Sequence, residues 1–206
     1  MGCSGSKATA GTGSKKKVDD NKILQEAGLE TLSKPQLASF NKLFKAVFDK
    51  VTKDAQNGGP AINIDMTGEF SCPALTMCFD EDDSAKAKFD QHDADTDGLL
   101  SKAEGTTFLK AALAEDAPVA TDELLGMWAD SIGTLNTETK DKFSYPEFER
   151  SKKILTAWFD SPKSIDTALS LMPPEQAKMM RQMLAAAESG DPMAAMGAMG
   201  AAMANM

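Results

Sequence analysis

The sequence predicts an all-α fold of helix–loop–helix pairs, with minimal two-residue β-bridges joining the loops. Three observations lead there. Apolar residues recur at helical spacing along most of the chain, with cap residues before each stripe and Pro or Gly between stripes. The one candidate strand, "INI" at 62–64, is very short. And the connection "DADTDGLLSKAE", Asp93 to Glu104, sets aspartates at every second position before a glycine and closes on a glutamate.

Taken in order, residues 1–20 are rich in Gly, Ser, Thr and Lys and form a flexible arm, whose outer boundary is set at residue 30. From about residue 33 a helix begins, with Ser33 at the N-cap and Leu37, Phe40, Leu43, Phe44, Val47 and Val51 as its stripe. "QNGGPAINID" breaks it, and "TGEFSCPALTMCF" reads as a short second helix. "DDSAKAKFDQH" is another, with an acidic first turn that complements the helix dipole. "GTTFLKAAL" continues as a helix after Glu104. "TDELLGMWADSIGTL" follows, capped by Thr121, with Leu124, Leu125, Trp128, Ile132 and Leu135 on its apolar face. "SYPEFERSKKILTAWF" tolerates Pro146 in its first turn. Ser161-Pro162 and Pro173-Pro174 open two more helices. The division is an arm over 1–30, a helix–loop–helix domain over 31–160, and a helical, then Met/Ala/Gly-rich, tail over 161–206.

Charge is uneven. The chain of 206 residues carries −9, with 22 basic and 31 acidic side chains. Residues 1–17 hold Lys7, Lys15, Lys16 and Lys17 and no acid, so setting those four charges aside leaves −13 on the rest. An acidic body argues against nucleic acid, which requires a cationic face. Cys3, Cys72 and Cys78 suit neither a disulfide framework nor zinc, and imply a reducing compartment. No P-loop, H-E-x-x-H or nucleophile motif is present, and with the single His92 beside the carboxylate loop, acid–base catalysis has no visible machinery. The expectation is a protein that is not an enzyme.

The carboxylate loop matches D-x-[DN]-x-[DN]-G-x₅-E. Asp93, Asp95 and Asp97 take positions 1, 3 and 5, and Gly98 takes position 6, where the chain turns sharply. Leu99 offers its backbone carbonyl, Ser101 acts directly or through water, and Glu104 supplies two oxygens. Leu100 points into the core and pairs its backbone with a neighbouring loop. Phe89 and Phe108 anchor the flanking helices. Such hard oxygen donors in flexible geometry suit Ca²⁺, the expected cofactor. The segment resembles the EF-hand superfamily, and the resemblance extends over roughly residues 33–160.

The resemblance implies a pairing partner. "NTETKDKFSYPE", Asn136 to Glu147, has the length and the ending, with Phe143 placed as Leu100 is. It departs from the motif at Glu138, at Lys140 and at Asp141, so it is expected to pair but to bind calcium poorly or not at all. "FDKVTKDAQNGGPAINIDMTGEF" is a third, degenerate candidate. The sequence leaves open which of the two pairs with Asp93–Glu104.

"MGCSGSK" matches the myristoylation pattern, with Gly2 as acceptor. One acyl chain binds membranes only marginally, so a second signal is needed. Cys3 is placed for palmitoylation, and "SKKK" at 14–17 attracts anionic lipid. The anchor resembles those of plant calcineurin-B-like sensors and of flagellar calcium-binding proteins. "LSKPQLASFNKLFKAVF" is loosely similar to the first helix of the former. Those relatives usually have four hands, and three are countable here. The implied function is a Ca²⁺ sensor on the cytoplasmic face of a plasma, ciliary or flagellar membrane, acting on an unidentified protein target. A Ca²⁺ buffer and a structural adaptor are the alternatives. Met193, Met196, Met199, Met203 and Met206 share one helical face. They leave three readings open: a low-complexity tail, a soft ligand for a groove, or thioether capture of Cu(I). The helix from about Pro174 is expected to fold back on the body through Met179, Met180 and Met183.

Overall fold

The computed structural model describes residues 19–57, 63–64, 70–71, 84–113, 120–139 and 141–188. Gly2, Cys3, Cys72, Cys78, Lys140 and the methionines from Met193 onward lie outside the described residues. The described chain is mostly helical. Its elements run α1 (Asp20–Glu26), α2 (Lys34–Gln56), β1 (Asn63–Ile64), β2 (Phe70–Ser71), α3 (Ala85–His92), β3 (Leu100–Ser101), α4 (Lys102–Ala112), α5 (Asp122–Gly133), β4 (Lys142–Phe143), α6 (Tyr145–Phe159), α7 (Pro162–Leu171) and α8 (Pro174–Glu188).

The helical body starts earlier than residue 31. Asp19 caps α1 by accepting the N–H groups of Asn21 and Lys22, and Leu24 is fully buried. Gly28, at φ +71°, closes the helix in a left-handed turn, and Leu29 N–H returns to the Leu24 carbonyl at 2.8 Å. The Asn21 amide then exchanges two hydrogen bonds with the Leu32 backbone, at 3.1 and 2.8 Å, and so fixes the approach to α2. Cap residues at both ends of a short apolar segment were the signals for this helix, and a boundary at 30 passed over them.

Along α2 the expected stripe is buried, with Phe48 added to it and Leu37 at its edge. Ser33 stands before the helix, and Gln36 reaches back to accept its N–H at 2.8 Å. Gln36 also donates to the Thr134 carbonyl at the end of α5, at 2.8 Å. Thr121 caps α5 through the Leu124 N–H at 3.3 Å, and Ser161 caps α7.

Two expectations over 67–92 change. β1 pairs antiparallel with β2, with Ile64 opposite Phe70 and Asn63 opposite Ser71. Phe70 and Ser71 are therefore strand, not helix, and β1 finds its partner within the upstream segment; the rest of the expected helix, 67–69 and 72–79, lies outside the described residues. The acidic first turn expected for α3 is also not found, because α3 begins at Ala85, past the acidic residues.

Two aromatic clusters share α6. Its C-terminal half brings Trp158 and Phe159 against Phe40, Phe44 and Phe48 of α2. Its N-terminal half brings Tyr145 and Phe148 against Phe89 and Phe108. Helix α7 packs on α2 and α6 and buries Ala168 and Leu169, so the body extends past residue 160. Buried Lys163 donates to Asp20 and, at 2.5 Å, to Asn41, and its Nζ lies 3.5 Å from the Trp158 ring centroid. Helix α8 packs on α7, with Ala177 buried and Met179 and Met180 half-buried. None of the described helices is long and apolar enough to cross a membrane.

Candidate metal centre

The chain between α3 and α4 is shaped by its own side chains. Asp93 is buried, and its Oδ2 accepts the Gly98 N–H at 2.8 Å, which folds the segment into a ring. Asp95 Oδ1 accepts the Asp97 N–H at 3.4 Å, and Asp97 Oδ1 accepts the Leu99 N–H at 2.8 Å. Gly98 sits at φ +81°, and a Cβ there would meet nothing within 4 Å. Glycine is therefore needed for the backbone angle and not for space. Thr96 also has positive φ, +55°, a strained conformation for a β-branched residue.

These turns bring Asp93, Asp95 and Asp97 together, with one carboxylate oxygen from each within 4.8 Å of the others. Asp93 Oδ1 is buried and has no hydrogen-bond donor. Glu104 lies outside that cluster. Its Oε2 accepts the Ser101 N–H at 2.9 Å, and its own N–H reaches Ser101 Oγ at 3.4 Å, a capping box at the start of α4. Those Ser101 contacts hold the Glu104 carboxyl below its usual range. Leu99 is half-buried beside the cluster. His92 ends α3 with Nδ1 2.7 Å from the Lys88 carbonyl and its ring against Phe108.

The question of the pairing loop is answered by β3 and β4. Leu100 lies opposite Phe143 and Ser101 opposite Lys142, so the segment Asn136–Glu147 is the partner. Two features of the first loop recur in the second, a positive φ at the sixth position and a capping box at its end. Asp141 takes φ +69° where the first loop has Gly98. Ser144 N–H donates to Glu147 Oε2 at 2.7 Å, as Ser101 does to Glu104. Its side-chain oxygens do not converge as those of the first loop do. Asn136 Oδ1 accepts the N–H groups of Glu138 and Thr139, at 2.9 and 3.0 Å, and Glu138 is exposed. Among the described residues, no carboxylate cluster forms in this loop.

One residue of the site was not anticipated. Lys142 reaches out of the second loop and places Nζ 2.6 Å from Asp97 Oδ2 and 3.4 Å from Asp95 Oδ2. Its hydrogen bond holds the Asp97 carboxyl below its usual range, and the two aspartates raise the Lys142 ammonium above its own. The signal was present in the sequence. Pairing Leu100 with Phe143 puts the preceding residue beside the first loop.

Chemically, the arrangement is an all-oxygen donor set with a buried carboxylate oxygen left without a proton donor. Such an atom is costly unless a cation or water satisfies it. The set contains no soft ligand and no nucleophile. No family model, curated protein or solved structure matches this chain.

Proposed function

We propose that Asp93–Glu104 and Asn136–Glu147 are a pair of EF-hands, and that the first binds one Ca²⁺. The observation that carries this reading is Asp93 Oδ1, buried without a donor in a loop where two further carboxylates converge. Asp93, Asp95 and Asp97 would hold the ion, with the Leu99 carbonyl, Ser101 and the two oxygens of Glu104. An ion bound there supplies the positive charge that the loop's four carboxylates lack. Asn136, Glu138, Lys140 and Glu147 belong to the non-binding partner loop.

The chain as a whole is then a calcium sensor held at the cytoplasmic face of a membrane by acyl groups on Gly2 and Cys3 and by its basic arm. It acts on a protein target and has no catalytic step of its own. Direct coupling of the loop to the core supports a sensor. Leu100 and Phe143 carry any rearrangement of the paired loops into the aromatic cluster around Phe89, Phe108 and Phe148. Titration with calcium, following an apolar-surface dye, tests this reading. A sensor increases dye fluorescence on binding. A buffer binds without the increase, and an adaptor shows neither response.

A further inference from the structure

The register of β3 and β4 sets Lys142 opposite Ser101, at the rim of the first loop. Among the described residues its ion pairs are with Asp95 and Asp97, at 3.4 and 2.6 Å. Both belong to the other loop, and its side chain is only 32 % exposed. This is a cation delivered in trans, from the loop whose own acids do not converge, to two of the three aspartates that do.

We propose that Lys142 sets the cation affinity of the Asp93–Glu104 loop by competing for it, as a tethered ammonium that a divalent ion must displace or tolerate. The inference rests on the metal reading given above. Two effects act in the same direction. The ammonium offsets repulsion among the loop's carboxylates and so stabilises the loop before metal arrives. It also stands within a few ångströms of where a divalent ion must sit, and like charges at that range repel. Each lowers affinity. The second loop thus controls the first through one side chain, although its own acids do not converge on a site among the described residues.

Calorimetric titration of the full chain with calcium, at fixed ionic strength, tests the assignment. Lys142→Gln should tighten binding by roughly three- to tenfold with unchanged stoichiometry, the effect of removing one charge near the ion. Lys142→Arg keeps the charge and should stay within about twofold of wild type. Lys102→Gln is the control. Lys102 pairs with Asp130 at 2.7 Å, outside the cluster, and its loss should change affinity by less than about twofold. As a second readout, calcium should speed acetylation of the Lys142 amine, followed by mass spectrometry. An unchanged or weaker Lys142→Gln, or an equal gain in Lys102→Gln, overturns the assignment while leaving the metal reading standing. If neither wild type nor Lys142→Gln binds calcium, both fall. Binding by Lys142→Gln alone upholds both.

Discussion

Leu100 and Phe143 face each other across a two-residue antiparallel ladder, and both are fully buried. Through this contact the geometry of one loop constrains the other. The Phe143 ring also lies over Gly105 of α4, where an added Cβ would come within 2.5 Å of Cε1. A buried ring so placed has little room to yield.

Gly105→Ala is therefore expected to destabilise the protein by about 1–3 kcal/mol, the usual cost of overpacking. Chemical denaturation measures it. Combined with Phe143→Leu, the loss should be smaller than the sum of the two single losses, because the smaller side chain vacates the clash. Additive losses would show that the helix and the ladder are not in contact as described.

The clamp between the ends of the body gives a second test. Asp20 faces Lys163, whose ammonium is covered by Trp158 and Phe44. Asp20→Ala should cost about 2 kcal/mol, less than the loss of a partner in a fully buried pair because Asp20 is 21 % exposed. Burial pushes the Lys163 ammonium below its ordinary 10.5, and Asp20 pulls it back up. A folded value below the unfolded one means that the unfolded chain binds the proton more readily. The burial cost is then fully present below the folded value and is relieved as pH rises towards 10.5. Wild type should gain stability relative to Lys163→Met over that interval, and Asp20→Asn should lower the Lys163 titration further, as read by NMR.

The proposed membrane anchor follows from the MGCSGSK pattern and the lysines at 15–17. Gly2→Ala should release the protein wholly to the soluble fraction of cells, because the first acyl group enables the second. Cys3→Ser should leave weak, exchanging association through one chain and the lysines. Membrane fractionation of Gly2→Ala like that of wild type would point to a protein receptor instead.

Much of the fold was legible because helical periodicity and caps agree in this chain. Leu124, Leu125, Trp128 and Ile132, with Thr121 before them, gave α5 nearly to the residue. The ring of Asp93, Asp95, Asp97 and Gly98 was legible because its spacing is dictated by backbone turns, which the hydrogen bonds to Gly98 and Leu99 display. What escaped was tertiary. Helix α1 is too short to have a stripe of its own and is fixed by Leu24 and by Asp20 on Lys163, far along the chain. Phe70 and Ser71 were assigned to a helix because a two-residue strand is fixed by its pairing with Asn63 and Ile64, which periodicity does not reveal. Lys142 was passed over because a lysine in a degenerate loop says nothing until register places it against the other loop.

The C-terminal helix supplies a further prediction. With Ala177 buried and Met179 and Met180 half-buried, α8 covers part of the body at α7. Truncation after Met172 should raise calcium-dependent dye binding and reduce solubility, with calcium stoichiometry unchanged. If none of these changes, the segment is a solvated appendage.

The stoichiometry of calcium binding tests the central claim most directly. Calorimetry of the full chain should give one calcium per chain, abolished at micromolar calcium by Glu104→Gln with the helical circular dichroism signal retained. Two or more tight sites, no site in either wild type or Lys142→Gln, or binding that survives Glu104→Gln would contradict the assignment of Asp93–Glu104 as the calcium loop.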